Sequence, residues 1–200
     1  PDQQRVVLEK CMTRLDEEKK LIGDLMELGR LQIIGPAADA APICLDKVLR
    51  QVTSELQNQA EQKNLQLRVK VSGDIPTLTG SPKLFKSLWE NLLSNAIKYT
   101  PEGGQVTASL RLENGQIIGE VQDSGIGIPL EDQGRLFSEF FRAKNAKALN
   151  LRGTGLGLVI IKRIVEGAGG QIWVESQEGQ GAKFTFALPA SESQPVGERT

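Results

Sequence analysis

Glu90-Asn91-Leu92-Leu93-Ser94-Asn95-Ala96-Ile97-Lys98-Tyr99-Thr100-Pro101 is the stretch that decides how this chain is read. It closes a segment opened by Ser81-Pro82, with Ser as the N-cap and Pro in the first helical turn. At ~100° per residue that segment is a helix with two stripes. Phe85, Trp89, Leu92, Leu93, Ala96 and Tyr99 gather on one sector and face a core, while Asn91, Asn95 and Lys98 share the neighbouring one. An asparagine carbonyl is a hard oxygen ligand of the kind Mg²⁺ takes alongside its waters. A lysine on the same border neutralises phosphate as a point charge. An ordinary solvated helix face has the same pattern, so the meaning of the stripe depends on its neighbours in the chain.

Two glycine-rich turns follow. The apolar strand around Ile117, Ile118 and Val121 ends in Asp123-Ser124-Gly125-Ile126-Gly127-Ile128-Pro129. Gly125 and Gly127 let a ligand approach the backbone closely, and the Asp123 carboxylate can accept a hydrogen bond from an exocyclic amine such as that of adenine. A simple Asp-initiated turn is the alternative. Further on, Arg152-Gly153-Thr154-Gly155-Leu156-Gly157-Leu158 runs into a helix whose Val159, Ile160, Ile164 and Val165 suit packing. Backbone N–H groups at a helix N-terminus suit phosphate. No Gly-x-x-x-x-Gly-Lys-Ser/Thr is present, which excludes a P-loop, and a dinucleotide fingerprint should directly follow a strand. Here the preceding stretch, 143–151, is polar. It carries Lys144 and Lys147 between Arg142 and Arg152, and reads as a mobile lid whose cations meet a triphosphate on closing, or as a solvated basic loop.

The remaining elements make an α/β (α+β) two-layer sandwich, a mixed sheet with helices on one face. A helix is expected over 45–62, with Leu45, Val48, Leu49, Val52 and Leu56 on one face. Leu65, Leu67, Val69 and Val71 alternate as a half-buried strand. Strands at 106–112 and 116–122 are joined by the turn Glu113-Asn114-Gly115. A helix over 156–167 and a closing hairpin of 171–175 with 183–188 follow, and a polar tail, 190–200, is expected to be disordered. Ahead of all this, residues 2–33 read as one long helix. Leu8, Cys11, Leu15, Ile22 and Leu25 form a narrow seam, interrupted at Glu18 and Gly29, and Arg14, Glu17, Lys20, Asp24 and Glu27 lie opposite it. Alone such a helix buries little. It is either a surface helix of its own domain or one arm of a dimeric bundle. Residues 35–42 form a linker with two prolines.

Bulk properties narrow the classes. The chain has 200 residues, 39% of them hydrophobic and 24% charged, which suits a soluble globular domain plus an appendage. A net charge of −1 gives no field for nucleic acid or an anionic membrane surface. No apolar run approaches the ~20 residues of a membrane span. The chain has no histidine, and Cys11 and Cys44 lack metal-ligand spacing, so they read as thiols in a reducing compartment. Residue 1 is Pro rather than Met, so a fragment of a longer protein is expected.

Taken together, these stretches resemble the catalytic ATP-binding domain of sensor histidine kinases, within the Bergerat-type superfamily shared with gyrase and MutL. Residues 90–101 look like the N box, Asp123–Ile128 the G1 box, Leu136-Phe137-Ser138-Glu139-Phe140-Phe141-Arg142 the F box and Gly153–Leu158 the G2 box. Gly169-Gly170-Gln171-Ile172-Trp173-Val174-Glu175-Ser176, with Gly179, Gly181 and 184–189, is similar to the family's closing hairpin. The resemblance implies ATP and Mg²⁺, with Asn95 and Asn91 at the metal and phosphates and Lys98, Arg142 and Lys144 meeting phosphate. Tyr99 would lie beside the nucleotide, Asp123 would accept from the adenine amine, and Gly125, Gly127 and Ile128 would line that end. The backbone of Gly153, Thr154, Gly155, Leu156 and Gly157 would meet the phosphates, and Phe137, Phe140 and Phe141 would anchor the lid. Residues 21–32 look like the end of the second helix of the dimerisation and histidine-phosphotransfer hairpin. The family's first helix, with its phosphoacceptor histidine, is not in the sequence. A smaller departure is Ser81, where the family often has Asp.

The expected division is therefore residues 1–34 as hairpin helix, 35–42 as linker, 43–189 as catalytic domain and 190–200 as tail. The expected function is transfer of the ATP γ-phosphoryl group to a histidine on the upstream helix, for relay to an aspartate of a response-regulator receiver. The expected partners are a second copy, through the N-terminal helix, and that receiver; nucleic acid and membrane contact by this segment are not expected. The place is cytoplasmic, with a parent protein that is free or membrane-anchored. Two readings compete. A serine kinase of the same fold needs a general base, for which Glu90 is the candidate in the box although its angle turns it from the Asn sector. A non-catalytic nucleotide-binding dimerisation module would keep the pocket without turnover. An ATP-driven clamp is discounted because its glutamate would stand where Asn91 is.

Overall fold

The computed structural model describes residues 2–33, 40–149, 151 and 153–190. The linker residues 35–39, Arg152 and the tail 191–200 lie outside the described residues. Helix α1 (Asp2–Ile33) is followed by β1 (Ala41–Ile43), α2 (Leu45–Gln62), β2 (Gln66–Ser72), β3 (Leu78–Gly80) and α3 (Pro82–Tyr99). Then come β4 (Gln105–Glu113), β5 (Gln116–Asp123), α4 (Leu130–Gln133), α5 (Lys144–Ala148), α6 (Gly157–Gly167), β6 (Gln171–Gln177) and β7 (Gly181–Pro189). The main sheet has the order β2-β4-β5-β7-β6, with β2 and β4 parallel and every other pair antiparallel. β1 and β3 form a separate antiparallel pair that the alternation rules do not reveal, each strand being three residues long.

Strand periodicity explains the sheet. On β4, Val106, Ala108 and Leu110 are fully buried and alternate with less buried residues. The β4–β5 turn places Asn114 and Gly115 at φ 50° and 73°, the left-handed pair that a two-residue hairpin demands. α2, α3 and α6 cover one face of the sheet. Trp89 of α3 meets Phe186 of β7 edge to face, ring centroids 5.1 Å apart. Gly119 on β5 faces Phe186 across the strands, and a Cβ there would lie 2.1 Å from the Phe186 ring. That close approach is what seats the aromatic pair.

Ser81 is the N-cap of α3 and Pro82 its first residue, but the Ser81 hydroxyl makes no cap bond; the residue is buried and caps through its carbonyl, which accepts from Leu84 and Phe85 N–H. At the other end of α3, Lys63 Nζ donates to the carbonyls of Ile97 (2.8 Å), Lys98 (3.1 Å) and Thr100 (2.7 Å). It thereby satisfies three acceptors that a helix terminus leaves open.

α1 docks on the domain through a face that its apolar seam does not mark. The seam residues Leu8, Cys11, Leu15, Ile22 and Leu25 are exposed. Leu21, Leu28 and Leu31 instead pack against the core, and Asp24 is buried between them although it belongs to the polar face. The spacing 21-24-28-31 is a heptad frame with an aspartate at one inward position, so the helix docks on the border between its two stripes. No described helix is long and apolar enough to cross a membrane.

Candidate active site

A cavity of about 890 Å³ opens between the C-terminal half of α3, the turn after β5, the 136–155 segment and the start of α6. β5 ends at Asp123, so the strand delivers its carboxylate into the cavity wall. Asp123 is 8% exposed, and its Oδ1 accepts from the N–H of Gly125 (2.8 Å) and of Ala182 (3.3 Å). Burial pushes its pKa up to about 6, against the lowering effect of those two bonds. Both of these bonds go to the same carboxylate oxygen, Oδ1. Gly127 sits at φ 62°, with its Cα so close to Gln177 that a Cβ would lie 1.9 Å from the Gln177 carbonyl oxygen. Only glycine fits there. Ile128 lines the cavity beside it, and Ile128 N–H is held by Ser176 Oγ at 2.9 Å. Gly125 shapes the turn but is not among the lining residues.

The other end of the cavity is cationic. Lys98 ends α3 with its Nζ donating to Tyr99 Oη at 2.7 Å and lying 4.2 Å from the Tyr99 ring centre. Burial, with Arg142 and Lys20 nearby, lowers the Lys98 pKa to about 8, and burial raises that of Tyr99. Arg142 Nη2 donates to the Leu151 carbonyl, while its Nε is buried with no partner among the described residues. Asn91, Asn95 and Lys147 also line this cavity. Asn91 Nδ2 donates to Ser87 O at 3.0 Å, and Asn91 Oδ1 stands 2.7 Å from where a Cβ on Gly157 would lie. Gly153 stands as close to Lys98, its Cβ position 2.9 Å from Nζ. The glycine loop therefore closes over the polar stripe of α3, with the α6 N-terminus beside Asn91.

The structure gathers most of the expected site residues on the cavity and leaves Gly125, Lys144 and Leu156 off its lining. Lys144 turns outward: its Nζ pairs with Glu131 at 2.5 Å, and its side chain does not line the cavity. Leu156 is fully buried and packs in the core. Thr154 lines the cavity, but its hydroxyl donates to Asp24 Oδ2 on α1 at 2.6 Å. The stretch read as a mobile lid contains α5 and is pinned. Asp132 Oδ2 accepts from Lys144 N–H at 2.7 Å, and Asn145 Nδ2 donates to the Gly127 carbonyl at 2.9 Å. Asn145 gives no sign of this in the sequence, because a short polar residue in the first turn of a short helix carries no signal of such a tertiary bond. Glu90 is paired with Lys86 at 3.3 Å and does not line the main cavity. No group of three acidic, His or Cys ligands for a metal exists among the described residues.

Comparison with known proteins agrees with this geometry. Residues 80–192 match the family described as histidine kinase-, DNA gyrase B- and HSP90-like ATPase. The chain is 35% identical over 192 residues to the sensor-like histidine kinase SenX3 of Mycolicibacterium smegmatis, covering 94% of this chain and 49% of SenX3. It is 34% identical over 177 residues to the sensor histidine kinase WalK of Bacillus subtilis, covering 88% of this chain and 29% of WalK. Full-length ShkA in complex with AMPPNP superposes with a TM-score of 0.72 at 29% identity, over 85% of this chain and 35% of ShkA. The catalytic domain of the histidine kinase ThkA superposes with a TM-score of 0.66 at 28% identity, over 76% of this chain and 95% of that domain. The chain spans half or less of the length of SenX3 and WalK. With the mixed sheet and these matches in hand, the chain belongs to the histidine kinase-, DNA gyrase B- and HSP90-like ATPase family and carries the catalytic-domain fold of its sensor histidine kinases.

Proposed function

We propose that the cavity binds MgATP and presents its γ-phosphoryl group to a histidine of an upstream helix, for relay to a response-regulator aspartate. The observation that carries this reading is the polarity of one cavity: a buried carboxylate acceptor at one end, and Lys98 with Arg142 at the other. Asp123 takes the adenine amine through its second oxygen, with Ile128 and Tyr99 against the base. Asn95 and Asn91 supply hard amide oxygens for Mg²⁺, while Lys98 and Arg142, whose Nε is buried without a partner among the described residues, face phosphate oxygens. Gly153, Gly155 and Gly157 keep side chains out of the phosphate path, and Gly125 and Gly127 let the turn beside the base fold closely against Tyr99 and Gln177. When bound, Mg²⁺ would offset phosphate charge during in-line transfer. The protein's own contribution is orientation and fixed positive charge, which is most of what phosphoryl transfer requires.

In the whole protein, residues 1–34 act as a hairpin helix that pairs with a second copy through its exposed stripe, and 43–189 as the catalytic unit in the cytoplasm. The test is phosphotransfer from γ-labelled MgATP in the longer protein that contains the upstream segment. Acid-labile, alkali-stable label that disappears on replacing the acceptor histidine is expected. Acid-stable label would transfer the assignment to a serine kinase, and bound ATP without label would reduce the chain to a binding module.

A further inference from the structure

We infer that α1 forms a wall of the nucleotide cavity, that Lys20 is a phosphate-contacting residue, and that Asp24 is the positioning residue that holds it there. Three observations on one helix face carry this. Lys20 and Leu21 line the same cavity as Lys98 and Arg142. One turn on, Asp24 is 8% exposed and accepts from Thr154 Oγ1 at 2.6 Å; Thr154 Oγ1 in turn accepts from Leu156 N–H at 3.3 Å. The bond thus runs from α1 into the turn that presents the glycine loop. Leu21 before it packs against the core and Leu28 and Leu31 beyond it are buried there, so the register of the helix is fixed on both sides of Asp24. Residues four apart share a helix face, and a helix bolted at Asp24 therefore has its Lys20 directed over the cavity. The charge adds to an effect already present without ligand: burial first, then Arg142 and then Lys20 depress the Lys98 pKa. A cluster of cations around one opening is unfavourable until an anion with several charges enters. Glu18 shares the rim, so removal of the two charges should act in opposite directions.

This inference rests on MgATP being the ligand of the cavity. The test is calorimetric titration of the 200-residue chain with MgATP, MgADP and adenosine. Lys20→Gln should weaken MgATP about fivefold, the size of one charge contact near a protein surface. It should weaken MgADP less and leave adenosine unchanged. Lys20→Arg should restore MgATP affinity, and Glu18→Gln should leave it equal or tighter. Asp24→Ala should reproduce the Lys20→Gln loss, and the double variant should be no weaker than either alone. Lys20→Gln with unaltered MgATP affinity, or with the same loss for adenosine, overturns the inference. So does tighter MgATP binding in Asp24→Ala, which would make α1 an obstruction of the cavity instead of its wall. An unaltered chain that binds no MgATP overturns the proposed function and this inference together; normal binding with a silent Lys20→Gln overturns the inference alone.

Discussion

Asp123→Asn should separate nucleotide binding from folding. Asp123 uses Oδ1 for two backbone N–H donors, those of Gly125 and Ala182. Asparagine retains an oxygen for both. The other position becomes an NH₂ group, and it would face the adenine amine donor to donor. Loss of a hydrogen bond to a charged acceptor amounts to ~1.5–3 kcal/mol, a roughly ten- to hundredfold weaker MgATP affinity. Asp123→Ala should bind as poorly, but it also strands the two N–H donors and should lower stability. The sign for Asn is opposite. The folded pKa of Asp123 is raised from 3.8 to about 6, so its contribution to stability is present below 3.8 and is lost as pH climbs through 6. At neutral pH the ionised group opposes folding by up to about 3 kcal/mol, and Asn removes that opposition. Asp123→Asn at pH 7.5 should therefore melt no lower than the unaltered chain while titrating poorly with MgATP. Adenosine, which lacks the phosphates, should bind about tenfold more weakly at pH 5 than at pH 7 in the unaltered chain, and equally at both in the variant. A Kd for MgATP within twofold of the unaltered chain, at unchanged stability, would refute the role assigned to the carboxylate.

Nucleotide binding at pH 8 should draw a proton onto Lys98, whose pKa of about 8 leaves it half charged and which a polyphosphate would recharge. Calorimetry in buffers of different ionisation enthalpy reads this as uptake of up to about half a proton, absent in Lys98→Gln; release instead of uptake would contradict it. Lys63→Met should cost about 2 kcal/mol in urea denaturation, because three carbonyls at the end of α3 lose their shared charged donor; an unchanged midpoint would show that water replaces the ammonium freely. Ile22 is 59% exposed on the unpartnered stripe of α1, so Ile22→Glu should leave the melting temperature alone while shifting self-association toward monomer in sedimentation. A chain that is monomeric at every concentration before substitution would remove the stripe from consideration.

The sequence made legible what short-range periodicity controls. The bounds of α2 agree with its apolar spacing, and Asn114-Gly115 announced the β4–β5 hairpin. The polar stripe of Asn91, Asn95 and Lys98 was readable because one helix carries all three, and their sector follows from the helical repeat. What stayed hidden depends on long-range contact. Lys144 reads as a phosphate cation in a basic run, yet Glu131 captures it from thirteen residues away in the chain. The docking face of α1 is hidden in the sequence for a related reason. The widest apolar seam of a lone helix need not be its docking face when a partner loop offers a hydroxyl to an acid, as Thr154 does to Asp24. β1 and β3 fall below the length at which alternation is detectable.

The two ends of the cavity share one physical logic. Each holds an ionisable group whose charged form the protein alone disfavours: buried Asp123 is pushed up to about 6 and half-buried Lys98 down to about 8. Charge assignments of this kind oppose stability in the empty protein, and sites where they cluster are where a ligand is to be sought. An adenine amine beside Asp123 and phosphates beside Lys98 would relieve both at once, from opposite ends of a single molecule. A ligand with only one of those groups relieves only one of them. The same arrangement that makes the empty cavity electrostatically poor would therefore favour a ligand that carries both a donor edge and a polyanion, and the stabilisation such a ligand brings should exceed that from adenosine or triphosphate alone.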